Sequence, residues 1–283
     1  MSTSLKIPYT KAHGARNDFL LTWQSDLPEE LARDHKTLTR LAIAICARHT
    51  GVGADGWILI SGELGSANVS PADAVIELWN SDGSRSEISG NGTRCAAARM
   101  VAATQDTQVV RIATGAGVKT LTLLQRDDLH YSFEMNMGTA RIEELESRIV
   151  PGHEAVILNV GNPQLAIFVD NFDFDWRGLG AKLERDPHFP NRTNVSFIQV
   201  LDDHTIDVRF FERGAGETMS SGTGSTGAVA ASIARGKVRS PVEVRTPAGP
   251  LRLRVSDHGE YLLTGPAEIV ATGDFYWDPA RDG

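Results

Sequence analysis

Cysteine is nearly absent from this chain: its 283 residues contain two, Cys46 and Cys95. With no Cys-x-x-Cys pair and no Cys/His spacing of the kind that holds zinc, neither a disulfide framework nor a metal site is expected. Long hydrophobic runs are missing as well. No window approaches the length of a membrane span, and the opening Met1–Tyr9 lacks the continuous apolar stretch of a secretory signal, so a cytoplasmic chain without a membrane partner is expected. Positive charge is in deficit, with 28 Lys and Arg against 36 Asp and Glu and a formal net charge of -8. The acidic residues are spread along the chain rather than gathered in a tail, which disfavours a surface for polyanions, and no nucleic-acid partner is expected.

What is present is a core-forming composition, 41% hydrophobic, together with 27 glycines. That length allows one large domain or two of about 140 residues each. An internal repeat favours two. Ser89-Gly90-Asn91-Gly92-Thr93 returns as Ser221-Gly222-Thr223-Gly224-Ser225, and one gapless shift, from Ser89 to Ser221, also superposes Ala96, Ala98, Ala102, Val110, Thr114, Ala116, Gly117 and Leu121 on identical residues. Each copy runs into an alanine-rich segment, Cys95–Ala103 and Ala228–Arg235, whose small apolar residues predict a tightly packed buried helix. Glycines before a helix let the backbone turn sharply and expose its first N–H groups, which attract an anion together with the helix dipole. One such turn alone is an ordinary loop. Two copies, each with a serine at the same point, point to a shared site.

In chain order, a strand over 5–10 leads through a polar Gly/Asn turn to an apolar strand at 19–23, and apolar spacing predicts a helix over 29–48. Cys46 falls on its apolar face. Strands follow at 57–60 and 74–79, separated by a polar loop over 61–72, and an Asp82-Gly83 turn delivers the chain to Ser89. The helix 93–104 and strands at 108–114, 118–124 and 131–137 complete a first lobe, with a boundary in the charged stretch 137–151. The second lobe repeats the plan, with strands at 155–160, 165–169, 193–200 and 205–211, a helix at 176–185, the second Ala-rich helix, and short strands at 242–246, 250–255, 261–263 and 267–271. The expected architecture is α+β, in two lobes covering 1–140 and 141–283, with the last strands able to cross back to the first lobe.

Seven segments then carry a specific resemblance. Lys11-Ala-His13-Gly14-x-x-Asn17-Asp18-Phe19, Asn80-x-Asp82-Gly83-Ser84, Gly90-Asn91-Gly92-x-Arg94-Cys95, Gly161-Asn162-Pro163, Asn194-Val195, Glu212-Arg213-Gly214-Ala215-Gly216-Glu217-Thr218 and Gly222-x-Gly224 resemble the diaminopimelate epimerase family, in its order and across nearly the whole chain. The related proline racemases and hydroxyproline epimerases differ in the segment before the second helix. The resemblance implies two barrel-like lobes, each around a central helix and related by pseudo-twofold symmetry, with a site between them. It implies an isomerase without a cofactor: one group removes the Cα proton of a small amino-acid substrate and another, on the opposite face, returns one. Substrate contacts would fall on Asn17, Asn80, Gly90, Asn91, Asn162, Gln164, Asn194, Glu212, Arg213, Gly222 and Thr223. Arg213 could pair two-pronged with a carboxylate, although taken alone it reads as an ion pair at the surface or between lobes, and each asparagine as a turn residue. Dimers occur among such relatives.

The departures from that family fall on the chemistry. Ser89 and Ser221 stand where it carries its two catalytic cysteines, and a hydroxyl is a far weaker acid than a thiol, whose unperturbed pKa is about 8.5. Gln164 replaces a histidine and cannot relay a proton as imidazole does. Gly56 and Arg16 are milder changes. Cys95 lies inside the predicted helix and reads as core. Glu212 is the acid-base candidate beside Ser221, acting directly, through that serine or through a water, and it could equally orient the substrate ammonium. Three readings stay open: an epimerase with Ser89 and Ser221 as its acid-base positions; a relative with altered chemistry, such as dehydration or isomerisation of a modified amino acid; and an amino-acid-binding chain without activity, or one whose cysteines were replaced deliberately.

Overall fold

The computed structural model describes residues 4–62, 72–104 and 106–280, so most of the loop expected over 61–72 lies outside the described residues. The chain divides into two compact units, one formed by residues 1–133 with 266–283 and the other by residues 134–265. The expected border at 140/141 therefore falls inside the second unit, and the last residues sit with the first. Both divisions cut through strands rather than loops, which is why a linker signal in the sequence does not mark them.

The first unit holds β1 (Leu5–Gly14), β2 (Asn17–Trp23), α1 (Glu29–Arg33), α2 (His35–Cys46), β3 (Gly56–Ser61), β4 (Ala74–Asn80), β5 (Arg85–Ser86), α3 (Gly90–Ala102), β6 (Val109–Thr114), β7 (Gly117–Asp127) and the start of β8 (His130–Gly138). Antiparallel β1–β2 is followed by the parallel pair β2–β3, antiparallel β3–β4, the parallel pair β4–β6 and antiparallel β6–β7. A parallel pair needs a crossover, and each of these carries a helix. The first crossover holds α2, which buries Leu38, Leu41, Ala42 and Ile45 against Trp57, Trp79 and Trp277. The helix expected over 29–48 is in fact two, because Asp34 is extended and its carboxylate accepts the Lys36 N–H at 3.0 Å, starting α2 afresh. The second crossover holds α3, buried from Asn91 to Ala98 and again at Met100 and Val101, and packed on β1, β2, β3 and β6. Among the described residues no helix is long and apolar enough to cross a membrane.

The second unit contains the end of β8, then β9 (Arg141–Ser147), β10 (Ala155–Asn159), β11 (Pro163–Phe168), α4 (Trp176–Leu183), β12 (Asn194–Asp202), β13 (Thr205–Glu212), β14 (Gly216–Thr218), α5 (Gly222–Ala234), β15 (Val242–Arg245), β16 (Leu251–Val255) and the start of β17 (Tyr261–Trp277). Its pairing order is that of the first unit: β10–β11 antiparallel, β11–β12 parallel, β12–β13 antiparallel, β13–β15 parallel, β15–β16 antiparallel. The α4 helix buries Trp176 and Leu183 against Val195 and Phe197, as α2 does its own face. The α5 helix is enclosed by β9 to β13, β15 and β16, a strand-rich, barrel-like wall around one helix. The architecture is α+β, as the sequence predicts.

The repeat extends to register. The shift from Ser89 to Ser221 carries the β4–β6 pair Ala74↔Ile112 onto the β13–β15 pair Ile206↔Val244, and the β4–β5 pair Leu78↔Ser86 onto the β13–β14 pair Phe210↔Thr218. Two elements depart from expectation. β9 lies in the charged stretch expected to be a boundary; all its residues but Ser147 are exposed, so it lacks the alternation that announces a strand. β17 is one strand of 17 residues where two short ones are expected. Its pairing with β16 ends at Thr264 and that with β1 begins at Glu268, so Pro266 falls between those two partners.

The two cap glycines differ in what surrounds them. A Cβ on Gly224 would lie 2.7 Å from the Phe210 ring and 2.9 Å from Ser221 Oγ, whereas at Gly92 the nearest atom is the mobile end of Ile58, at 2.9 Å. Gly224→Ala is expected to destabilise by about 1–3 kcal/mol through overpacking, and Gly92→Ala by clearly less, because the helix-propensity gain of about 1 kcal/mol offsets a milder clash. Urea unfolding of both variants beside the parent checks this; equal losses would show that the rigid ring does not set the difference.

Candidate active site

In the first unit Ser89 sits in extended backbone (φ -128°, ψ 121°) and caps α3, its Oγ accepting the Gly92 N–H at 3.1 Å. The N–H groups of Gly90 and Asn91 open the first helical turn and have no intrahelical acceptor, so this tip can take an anion. Asn91 is buried and its Nδ2 donates to Asn17 Oδ1 at 3.4 Å. Asn17 in turn donates to Asp55 Oδ2 at 2.7 Å. Asp55 belongs to a charged network with Asp18, Lys11 and Arg48; burial raises the Asp18 carboxyl, and bonds from Arg48 and Lys11 outweigh it and hold its pKa low. Asn80 is exposed and turned to its own loop, donating to Ser84 Oγ at 2.9 Å. The structure thus joins Asn17, Asn91 and the Ser89 tip, and leaves the Asn80 amide apart.

Arg94 is the largest surprise of this unit. It is fully buried one turn into α3, its Nε donating to the Pro266 carbonyl at 3.0 Å and its Nη2 to Asn91 Oδ1, while Nη1 has no partner among the described residues. Burial drives its pKa down to about 10, so it remains cationic at neutral pH. The sequence offered its place in the Gly-Asn-Gly-x-Arg segment as a signal, and nothing in its spacing said that a cation would be enclosed there.

In the second unit Ser221 is buried and caps α5, its Oγ accepting the Gly224 N–H at 3.0 Å while donating to Glu212 Oε1 at 2.6 Å. Thr218 Oγ1 donates to the other carboxylate oxygen at 2.7 Å. Burial pushes the Glu212 pKa up from the ordinary carboxylate value, and the two hydroxyl donors hold back only part of that rise. Gln164 Nε2 donates to Asn162 Oδ1 at 2.7 Å, and Asn162 Nδ2 to Thr223 Oγ1 at 3.4 Å, a chain that fixes the Asn162 amide against the first turn of α5. Asn194 is held from both sides, its Nδ2 donating to the Pro163 carbonyl at 2.9 Å and its Oδ1 accepting the Arg213 N–H at 3.0 Å. The Arg213 side chain is exposed and bonds the Asn191 carbonyl at 3.2 Å; it forms no ion pair among the described residues.

Thr218 and Asp55 are missed by the sequence reading as site residues. Their signals, a strand-end threonine and an Asp-Gly turn, are too common to single out. Cys46 and Cys95 are both free and buried, and burial pushes both thiols up to about 12, so neither supplies a thiolate near neutrality. Among the described residues no group of three or more His, Cys, Asp and Glu side chains is placed to hold a metal ion.

A family model described as "Diaminopimelate epimerase" matches residues 9–143 and again 156–270, one match for each copy of the repeat. The diaminopimelate epimerase of Pelotomaculum thermopropionicum is 36% identical over 94% of this chain and 98% of its own length, and that of Nostoc punctiforme is 36% identical over 95% and 99%. Among solved structures, a hydroxyproline epimerase from Agrobacterium vitis superposes with a TM-score of 0.70 at 16% identity, covering 97% of this chain and 92% of that one. A methylitaconate-delta-isomerase superposes with 0.69 at 14%, covering 100% and 98%. At such identities the structural likeness establishes the fold alone.

A carboxylate whose folded pKa lies above its unfolded value stabilises most while it stays protonated. Glu212 therefore contributes stability that is fully present below its unfolded pKa, near the usual 4.5, and is lost as pH rises through the folded value. Glu212→Gln removes that dependence. The difference in melting temperature, variant minus parent, is expected to grow in the variant's favour as pH rises from 4 toward neutrality. In free energy that growth is about 1.4 kcal/mol for every tenfold by which folding strengthens the carboxylate's hold on its proton. A difference that is flat with pH would mean the carboxyl titrates alike in the folded and unfolded chains.

Proposed function

The chain belongs to the diaminopimelate epimerase family, and from that premise we propose that it is an isomerase interconverting LL- and meso-diaminopimelate, a step of lysine and peptidoglycan-precursor synthesis, by proton exchange at Cα. Ser89 and Ser221 occupy the two acid-base positions. The observation that carries this reading is the 2.6 Å bond from Ser221 Oγ to Glu212 at the tip of α5. A serine acts as a base only when another group takes its proton, and here a carboxylate is in contact to take it.

The chemistry follows from those contacts. As the substrate C–H bond breaks, its proton passes to Ser221 Oγ, the hydroxyl proton passes to Glu212, and the electron pair spreads from Cα into the substrate carboxylate. Free N–H groups at a helix tip stabilise that developing charge, by a few kcal/mol per well-placed donor. Gly90 with Asn91, and Gly222 with Thr223, supply them. The Ser89 hydroxyl then gives its proton to Cα, and water restores it. Asn17, Asn162, Gln164, Asn194 and Arg213 line and orient the substrate in this reading, and Asn80, bonded to Ser84, stands outside it. It calls on no cofactor, and a cytoplasmic setting accords with it.

Incubation with LL- and meso-diaminopimelate in heavy water, followed by NMR, is expected to show Cα deuteration with inversion, lost in Ser89→Ala and Ser221→Ala. Returning both positions to cysteine is expected to raise the epimerase rate by about 10²-fold or more, the usual worth of a well-matched acid-base group. Ligand-induced stabilisation without Cα exchange for any amino acid offered would establish a binding protein instead.

A further inference from the structure

The two halves are not equivalent at their helix tips. The shift that brings Ser89 onto Ser221, and Leu78 and Ser86 onto Phe210 and Thr218, brings Asn80 onto Glu212. One half therefore has a carboxylate where the other has an amide. Ser221 Oγ gives its proton to Glu212 at 2.6 Å, and Thr218 fixes the second carboxylate oxygen. Ser89 Oγ has only the Gly92 N–H, at 3.1 Å, and no carboxylate among the described residues bonds it. Ser86, the counterpart of Thr218, turns its hydroxyl to the Ile88 carbonyl, and Asn80 donates to Ser84. The charge near the two tips differs in the same sense: buried Arg94, cationic and bonded to Asn91, has the neutral Thr226 as its counterpart on α5. A cation beside the first turn favours a hydroxyl that gives up its proton there, and a carboxylate beside the other favours one that passes a proton on.

Resting on the epimerase reading, we infer that proton abstraction is one-sided: the Ser221–Glu212 pair is the working base, and Ser89 serves as a proton donor that is slow to act in reverse. The step balances without a further reactant. The C–H bond of the substrate breaks, O–H bonds form at Ser221 and Glu212 in turn, and the carbanion then takes a proton either back from Ser221 or from Ser89. In this scheme the proton held on Glu212 exchanges with solvent between departure and return. Return from the same face then deuterates the substrate without inverting it. Inversion, which needs Ser89 in both directions, is the slower outcome.

The test follows deuterium and configuration together, starting separately from LL- and meso-diaminopimelate in heavy water. One epimer is expected to gain Cα deuterium with retained configuration about tenfold faster than it inverts, while the other exchanges no faster than it inverts. Ser89→Ala is expected to abolish inversion and leave the retentive exchange, and Glu212→Gln to abolish both. Asn80→Glu, which places a carboxylate at the matching point, is expected to narrow the difference between the epimers. Equal exchange from both epimers with inversion keeping pace, or loss of retentive exchange in Ser89→Ala, would overturn the one-sided assignment and leave the epimerase reading standing. Absence of any Cα exchange in the parent chain would overturn both.

Discussion

The start of a helix leaves its first N–H groups without intrahelical partners, and both Ala-rich helices of this chain meet that constraint in the same way. A serine oxygen takes the third N–H, from Gly92 on α3 and Gly224 on α5, and the first two are left pointing away from the helix. Everything else at the two tips is arranged around that bond. Glycine at the third position lets the strands approach closely, Phe19 and Ile58 against Gly92 and Phe210 against Gly224. The serine hydroxyl keeps its own proton free, because in accepting the N–H it uses a lone pair and not its hydrogen. The cap thus makes a helix stable and an oxygen available with the same atom.

Duplication preserved the frame and released the side chains within it. Strand register is retained residue for residue between β4–β6 and β13–β15, which fixes where a side chain at each strand end can project. By the parallel pairs, Phe19 beside Gly56 in one unit matches Gln164 beside Asn194 in the other. Corresponding strand ends thus differ in kind: small or apolar in the first unit, amide-bearing in the second. Rigid register with free side chains is what lets related halves acquire different proton chemistry without a change of fold.

Much of this was legible in the sequence because the signals were local or repeated. The Ala-rich runs, the Ser-Gly-x-Gly turns and the alternation of 205–211 each reported their own structure, and the repeat gave the two-unit plan. What escaped had no local signature. β9 is polar along its exposed length, and Asp34 divides a helix that apolar spacing alone makes continuous. The switch of partners along β17, from β16 before Pro266 to β1 after it, is a tertiary fact. At the site, the family-like segments located Ser89, Ser221, Glu212, Asn17, Asn91, Asn162 and Asn194 in hydrogen-bonded groups within their own units. They did not reveal that Asn80 turns away to Ser84, that Arg213 contributes its backbone N–H rather than its guanidinium to Asn194, or that Thr218 completes the Glu212 contacts. Orientation depends on what a side chain meets, and the partners are distant in sequence.

In the proposed mechanism, working with hydroxyls rather than thiols is best understood through charge rather than size. A thiol at a helix tip ionises on its own, so a pair of thiols can serve alternately as acid and base with little help. A hydroxyl cannot, and its usefulness depends on a neighbour. Glu212 supplies that neighbour to Ser221, its pKa raised above the ordinary carboxylate value by burial. Arg94 supplies the first unit with the opposite element, a buried cation whose Nη1 is unpaired among the described residues and whose Nη2 holds Asn91 in place. An alkoxide left on Ser89 after it has given up its proton is a charge that such a cation and a helix N-terminus both favour. The two serines thus meet different electrostatic surroundings, and in the proposed mechanism those surroundings, more than the side chain itself, decide which serine gives a proton and which receives one.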